Sequence, residues 1–394
     1  MEKNTFNRQQ GFVSIFSVLF FTLLAAVITI GFVRLMVIEQ QQALDNDSTS
    51  RALSAAEAGV EDAKRAIDYY AKLGGGAEKD AIRAALASDK CDALFTNTSD
   101  VAKSIGLVGK NGVLADGQNL RYTCLNVALN TADYTKPIAA NTSQVIALRG
   151  ETDFNQLTVE WHKISNGSGG KDSDGVPANY PLAGDLPRIS DFGKDGAQPP
   201  AFMRLQLIGV PKGSFNRGDL EARSRIVFLS PQAPGGASET DFTAADNRGF
   251  NSVKSSPIGT KCVATAQAKD NEGKYACAFT LTLPGGSLDT KNNNYYLQLT
   301  PLYRSTNIRV QLKQKNISDP SAASSIVKFN EVQPSIDSTG AAADVFRRVE
   351  ARVELPDETY ATLRYAAEVG DNICKNFYVT NDPAQWQANQ CTAP

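Results

Sequence analysis

Hydrophobic residues are concentrated at the start of the chain. Residues 12–33 form a run of twenty-two residues without a charged side chain. At about 1.5 Å of rise per residue, a helix over this run would be about 33 Å long, enough to cross the hydrocarbon core of a bilayer. The short segment in front contains Lys3 and Arg8, which favours a cytoplasmic N-terminus. The pattern predicts a transmembrane helix in front of a more polar chain.

The helical pattern continues beyond this apolar run. Six residues recur at spacings of three and four and define one stripe of a helix: Leu53, Ala56, Val60, Ala63, Ile67 and Tyr70. Three glycines at 74–76 then end the pattern, and the first proline is Pro137. We therefore predict one long helix over residues 12–73, transmembrane in its first part and amphipathic in its second.

Two stretches of this predicted helix resemble a known family. Gly11 followed by Phe12-Val-Ser-Ile-Phe-Ser-Val-Leu resembles a prepilin (class III) signal. Residues 50–64, which contain Ala-Ala-Glu-Ala-Gly, resemble the corresponding stretch of PilX-type minor pilins. The resemblance covers residues 1–70 and is absent from the remainder of the chain.

The resemblance implies a life cycle for the subunit. A prepilin peptidase would remove the leader, residues 1–11, between Gly11 and Phe12, and a methyltransferase would modify the new amino group. The apolar helix would hold the subunit in the cytoplasmic membrane, with the N-terminus inside and the head outside. An assembly platform with its ATPase would then bring it into an extracellular filament, where the helix contacts other pilin subunits.

One position departs from the family. Most major pilins carry a glutamate as the fifth residue of the mature chain, and this carboxylate pairs with the amino terminus of the subunit ahead. This chain has Phe16 there. A subunit at the filament tip has nothing ahead of it, and the tip pseudopilin of secretion systems is similar in lacking the glutamate and in being large. The resemblance thus implies a minor, tip-located subunit, while an ordinary apolar residue in an anchor is the alternative.

Two other interpretations of residues 12–33 stay open. A secretory signal peptide has a shorter apolar core of about 7–15 residues and a small-residue cleavage site after it, whereas Arg34-Leu-Met-Val-Ile-Glu39 follows here. An uncleaved anchor would keep residues 1–11. The protein would then be a single-pass, membrane-anchored surface protein whose head binds a glycan or another protein.

Length and charge narrow the function further. At 394 residues the chain has room for the helix and one or two globular domains. Lys and Arg number 40 and Asp and Glu 42, for a net charge of −2, so we expect no nucleic-acid partner. Major pilins are usually much smaller, which again favours a specialised subunit with a structural, assembly or adhesion role.

The cysteines favour an oxidising compartment. There are six, an even number that in an exported segment indicates three disulfides. Pairing sequence neighbours gives Cys91–Cys124, Cys262–Cys277 and Cys374–Cys391. The alternative is reduced, buried cysteines. No Cys-x-x-Cys motif occurs, which disfavours zinc or redox chemistry.

The remainder of the chain has the pattern of short strands between turns. Candidate strands are residues 120–127, 144–148, 157–162, 202–210, 223–229, 261–268, 275–283, 295–303, 307–312 and 345–355. The last has the clearest alternation of a half-buried antiparallel strand. We predict an α+β fold, with the long helix followed by an extracytoplasmic globular region over 74–394 that is β-rich from about residue 120. A soft boundary is expected at 165–200.

Catalytic and metal-binding signals are weak. His162 is the only histidine, and no nucleophile motif accompanies it, so we expect a surface histidine at a strand end and no enzyme activity. A secreted hydrolase with a dispersed site is the remaining alternative. Asp172 and Asp174 before Gly175 resemble the start of a calcium loop, but Ala183 stands where the bidentate glutamate belongs. We expect no cofactor.

Overall fold

The structure is a computed structural model. It describes residues 10–88, 90–91, 121–164, 192, 200–213, 216–232, 235–242, 257–264, 273–284, 288–316 and 323–355. The side chains of residues 10–13, 121, 217 and 221 are outside the description.

The described part begins with the long helix that the sequence predicts. Helix α1 (Gln10–Lys72) contains 63 residues, and α2 (Ala77–Leu86) follows it directly. Gly75 and Gly76 lie between them with φ angles of 144° and 98°. Because side-chain-bearing residues rarely adopt such angles, these two glycines let the chain leave α1 and turn into α2. A short helix, α3 (Arg217–Ala222), lies further along the chain.

The strands come after the two N-terminal helices. In chain order they are β1 (Arg121–Ala128), β2 (Tyr134–Ile138), β3 (Gln144–Ala147), β4 (Gln156–Lys163), β5 (Phe202–Pro211), β6 (Ser224–Gln232), β7 (Glu239–Asp241), β8 (Ile258–Lys261), β9 (Tyr275–Thr282), β10 (Asn293–Leu302), β11 (Thr306–Gln314), β12 (Ser325–Val327), β13 (Ser335–Ala342) and β14 (Val345–Arg352). The α+β class, with a long apolar helix before a β-rich head, is confirmed.

The first and last strands form a small sheet on α1. Its order is β1-β13-β14, and both pairings are antiparallel. The second half of α1, together with α2, covers one face of this sheet. Their shared core contains Ile67, Leu86, Leu125 and Ile336, each at most 2% exposed. We call α1 from residue 49 onward, α2 and these three strands the helix–sheet module.

The strands between β1 and β13 form a β-sandwich. One sheet has the order β3-β10-β5-β6-β8, and the other has the order β12-β11-β4-β9-β7 with β2 also paired to β11. Pairing is antiparallel except between β6 and β8 and between β7 and β9. Side chains from both sheets, among them Trp161, Phe279, Leu297 and Leu299, are fully buried in one core.

The sandwich is inserted into the helix–sheet module. Ala128, the last residue of β1, pairs with Ser335, the first residue of β13, so the chain leaves and re-enters the small sheet at one point. The two connecting segments are bonded to each other: Thr131 donates to the Phe329 carbonyl at 3.3 Å, and Phe329 donates back at 2.7 Å. The small sheet is therefore built from β1, which precedes the sandwich in the sequence, and from β13 and β14, which follow it.

Four strands were not predicted, namely β2, β7, β12 and β13, and one predicted strand is displaced. The strand β13 was not predicted, because Ser335–Ala342 consists mainly of small residues and lacks an apolar alternation. The strand expected over 261–268 begins where β8 ends, since β8 occupies Ile258–Lys261. The boundary expected at 165–200 falls almost entirely outside the described residues.

Candidate functional site

The first half of α1 is exposed on all sides. Every described side chain from residue 14 to residue 47 is exposed. The large apolar ones range from 45% exposed at Leu24 to 66% exposed at Phe32. Full burial of one such side chain is favourable by about 1.5–3 kcal/mol, so this surface is unfavourable in water. By length and composition the helix is able to cross a membrane, which indicates a membrane anchor.

The expected processing residues lie at the start of this helix. Gly11 and Phe12 belong to the backbone of α1, which begins at Gln10, while the leader residues 1–9 lie outside the described residues. Phe16, which stands where the family has a glutamate, is 65% exposed. Within the apolar run, the Thr22 hydroxyl donates to the Leu19 carbonyl at 2.9 Å and the Thr29 hydroxyl to the Ala25 carbonyl at 2.7 Å. These bonds satisfy polar groups that lipid cannot.

The second half of α1, in contrast to the exposed first half, is packed against the head. Its backbone lies directly on the backbone of β13. A Cβ added to Gly340 would overlap the Ala52 carbonyl oxygen and the Ala56 nitrogen, and would lie 3.0 Å from the Ala55 carbonyl carbon. A Cβ added to Gly59 would overlap the Ser338 hydroxyl. The Ala-Ala-Glu-Ala-Gly stretch is therefore the part of α1 that lets helix and strand touch.

The buried stripe of α1 is wider than predicted and begins elsewhere. Leu53, the first predicted member, is 41% exposed, whereas Ala52 is fully buried. The additional buried residues are small or polar: Ala55, Gly59, Asp62 and Ala66. Pattern analysis missed them because alanine and glycine carry little hydrophobic signal, and the pairing of Gly59 with a small strand residue is invisible in the sequence.

A buried carboxylate lies in this helix–sheet contact. Asp62 is fully buried, and its Oδ2 accepts a hydrogen bond from the Tyr122 hydroxyl at 3.0 Å. Its Oδ1 lies 2.9 Å from Nη2 of Arg65 on the same helix. A buried charge needs such partners to be tolerated. Asp62 therefore links α1 to β1 through a buried hydrogen bond.

Four of the six cysteines are bonded in the expected pairs. Cys91 is bonded to Cys124, and Cys262 to Cys277. The first bond joins the chain beyond α2 to β1 of the helix–sheet module. The second joins the residue after β8 to β9, and these strands belong to different sheets of the sandwich. Cys374 and Cys391 lie outside the described residues.

The remaining candidate residues form no assembled site in the part of the chain that the structure describes. His162 lies one residue before the end of β4 and has a φ angle of 62°, and its backbone N–H donates to the Thr306 hydroxyl at 2.9 Å. Asp172 and Asp174 lie outside the description. Among the described residues, no group of three or more His, Cys, Asp or Glu is placed to hold a metal ion.

A charged cluster lies on the outer face of the six-stranded part of the sandwich. The Arg309 guanidinium donates to the Glu160 carboxylate and stands 5.3 Å from the centre of the Tyr275 ring. The hydrogen bond to Glu160 is the main reason that the pKa of Arg309 is raised. Burial is the main cause of the raised pKa of Tyr275. Both groups keep their ordinary protonation, so the cluster is suited to holding strands together.

No protein-family model matches the chain, and no curated protein matches its sequence. Among the described residues, α1 is the feature that indicates a function, because its first half is apolar and exposed and its second half is packed into the head.

Proposed function

We propose that this protein is a minor subunit of a type IV pilus or pseudopilus, placed at the filament tip, with a structural and assembly role and an adhesive head. The observation that carries the proposal is the continuity of α1. Its exposed apolar half and its packed half form one uninterrupted 63-residue helix, so any force or displacement of the apolar half is passed directly to the head.

The exposed half of α1 suits two surroundings in turn. Its large apolar side chains point to every side of the helix, as a single span in lipid requires. The same surface is suited to a bundle of equivalent helices, where apolar side chains of neighbours replace lipid. In this proposal the prepilin peptidase cuts between Gly11 and Phe12, and other proteins supply all chemistry, so the subunit itself is not an enzyme.

The position of the sandwich supports a role in contact with other cells or surfaces. The sandwich is joined to the helix–sheet module beside Tyr70, near the far end of α1. Tyr70 lies about 48 Å along the helix from Ile38, where the exposed apolar stretch ends. A sandwich joined at this distance from the apolar stretch stands clear of a membrane or a helix bundle. The two disulfides favour an oxidising compartment outside the cytoplasm.

The mature N-terminus tests the proposal. Intact-mass and N-terminal peptide analysis of the subunit from purified pili is expected to show a chain that begins with methylated Phe12. A chain that retains residues 1–11 would contradict the proposal and would support the alternative, an uncleaved single-pass surface protein whose head binds a ligand. Recovery of the protein free of both membrane and filament would contradict both.

The tip position has its own test. Phe16→Glu places a carboxylate in an apolar helix where a tip subunit has no partner ahead to neutralise it, and an unpaired buried charge is costly. We expect fewer filaments at unchanged subunit level. Phe16→Leu is the matched control, since it keeps the position apolar. Unaltered piliation in the Phe16→Glu strain would remove the argument for the tip.

A further inference from the structure

The two segments that connect the helix–sheet module to the sandwich run side by side. The outgoing segment contains Asn130 and Thr131, and the returning segment contains Phe329 and Glu331. Because both connections lie at a single point, the sandwich is free to rotate about that point unless other contacts fix its angle. The contacts of Glu331 reach both sides of the junction.

The backbone of Glu331 is held by the outgoing segment and by the sandwich. Its N–H donates to the Asn130 side-chain oxygen at 3.0 Å, and its carbonyl accepts from Nη2 of Arg149, which follows β3, at 3.1 Å. Its φ angle is 54°, a left-handed conformation that a residue with a side chain rarely adopts. Such a conformation persists only where the surroundings impose it, and residues held in this way are often found at functional positions.

The side chain of Glu331 is held on the other side. Its Oε1 lies 2.7 Å from Nε of Arg83 on α2, and only 22% of the Glu331 side chain is exposed. Tyr70, near the end of α1, is the second neighbour. Burial raises the pKa of Tyr70 to about 12, and a hydrogen bond to Glu331 adds to this. One residue thus bonds the sandwich with its backbone and both helices with its carboxylate.

A second set of polar contacts crosses the junction from the end of β14. Glu354 accepts hydrogen bonds from the Tyr134 hydroxyl and, at 2.9 Å, from Lys136, both on β2 of the sandwich. Arg352 of β14 lies 3.0 Å from the Asp133 carboxylate in the outgoing segment. These pairs lie at the β14 side of the small sheet, whereas Glu331 contacts the helices. The junction is therefore held from two elements of the module.

We propose that the junction is a hinge locked at one angle, and that the contact of Glu331 with Arg83 is its lock. While the contact is made, the sandwich and α1 move as one body, and tension on the sandwich is passed along the helix. When it is broken, the junction is still restrained from the β14 side by Arg352 and Glu354, but it is no longer held from the helices, and the sandwich samples a wider range of angles. This property belongs to the fold and does not depend on which filament or surface the protein serves.

Distance distributions between two spin labels test the proposal. The labels are placed at Glu57 on the exposed face of α1 and at Thr290 in an exposed turn of the sandwich, through an unnatural keto amino acid so that the cysteines stay paired. Double electron–electron resonance is measured on the full chain in detergent micelles. We expect one narrow distance for the unaltered junction and a distribution at least twofold wider for Arg83→Ala and for Glu331→Ala.

Three further variants sharpen the test. Asp337→Ala is the matched control, because it removes a comparable ion pair, Arg348 Nε to Asp337 Oδ1 at 2.7 Å, that lies wholly within the helix–sheet module; we expect no widening. Arg83→Ala combined with Glu331→Ala is expected to widen the distribution no more than either single change. Glu331→Gly accepts the left-handed backbone but lacks the carboxylate, and is expected to widen it as well.

Two results would overturn the proposal. A distribution for Arg83→Ala as narrow as that of the Asp337→Ala control would show that the contact does not set the angle. A narrow distribution for Glu331→Gly would show that the backbone alone is sufficient. Arg83 lies on the surface of α2, so its removal tests the lock even if the Glu331→Ala chain fails to fold.

Discussion

The two halves of α1 are suited to opposite surroundings, although they form one continuous helix. The first half carries Phe, Leu, Ile and Val, and these side chains are exposed around the whole helix. The second half turns a stripe of alanines and Gly59 toward a strand of small residues. Large side chains there would keep the strand away, whereas small side chains in the first half would give too little apolar surface to hold a helix in lipid. Residue size thus distinguishes a helix that faces lipid from one that touches a backbone.

The comparison also separates two kinds of stability. In the first half, the free energy of placing the helix in its surroundings depends on the medium around it and hardly on any individual neighbour. In the second half it depends on particular partners, because a single added methyl group meets the backbone of the opposing element. Substitutions of the same chemical type should therefore have different consequences in the two halves.

The largest effect is expected from charges in the apolar half. Leu23→Arg with Val27→Arg places two arginines at mid-span, each costing about 3 kcal/mol of insertion free energy. We expect most of the protein to lose carbonate-resistant membrane association. Leu53→Arg with Glu57→Arg is the control with the same spacing in the second half, and is expected to stay in the membrane fraction. Equal extraction of both variants would refute the assignment of the span.

A smaller but sharper effect is expected at the helix–strand contact. Gly340→Ala adds a methyl group where the Ala52 and Ala56 backbone already stands, and such overpacking costs about 2–3 kcal/mol. The measurement is denaturant unfolding of the head followed by near-UV circular dichroism. Gly74→Ala is the control, since a Cβ there meets nothing within 4 Å. If both variants unfold at the same denaturant concentration, the close approach is not important for stability.

A smaller loss of stability is expected when the buried hydrogen bond between Tyr122 and Asp62 is removed. Tyr122→Phe removes the hydroxyl that donates to Asp62, and a bond to a buried charged group contributes about 1.5–2 kcal/mol. Tyr69→Phe removes an exposed hydroxyl bonded to Glu78 at 2.7 Å and should cost less than about 0.5 kcal/mol. Thermal unfolding of the two variants gives the comparison. Equal losses would mean that Asp62 does not depend on Tyr122.

The smallest effect is expected at an exposed ion pair of the same helix. Glu61→Gln breaks the contact with Lys64, whose Nζ lies 2.6 Å from Glu61 Oε1, with side chains 44% and 61% exposed. Exposed pairs contribute about 0–0.5 kcal/mol, so the unfolding midpoint should be almost unchanged. A loss approaching that of Tyr122→Phe would show that this face of α1 is covered in the native protein.

The parts of the fold that the sequence predicted are those with a strong local signal. The long helix, its glycine end, most sandwich strands and the two described disulfides follow from periodicity, glycine chemistry and cysteine spacing. The strand β13 was missed, because a strand built from serine, glycine and alanine has a reason to exist only when a helix backbone lies on it. Glu331 was missed for a similar reason: a glutamate in a linker is unremarkable until its neighbours and its backbone angle are known.

The sequence alone determined that residues 12–33 are an uncharged apolar run long enough to span a bilayer, that an amphipathic helix follows, and that the region from about residue 120 is rich in β-strands. These features depend on residues close together along the chain, where periodicity reports directly on burial. Only the tertiary structure decided that β13 closes the small sheet, that the sandwich is inserted at one point, and that Gly340 and Glu331 hold the parts together. Those contacts join residues far apart in sequence, and their energies come from fit and pairing that no local pattern encodes.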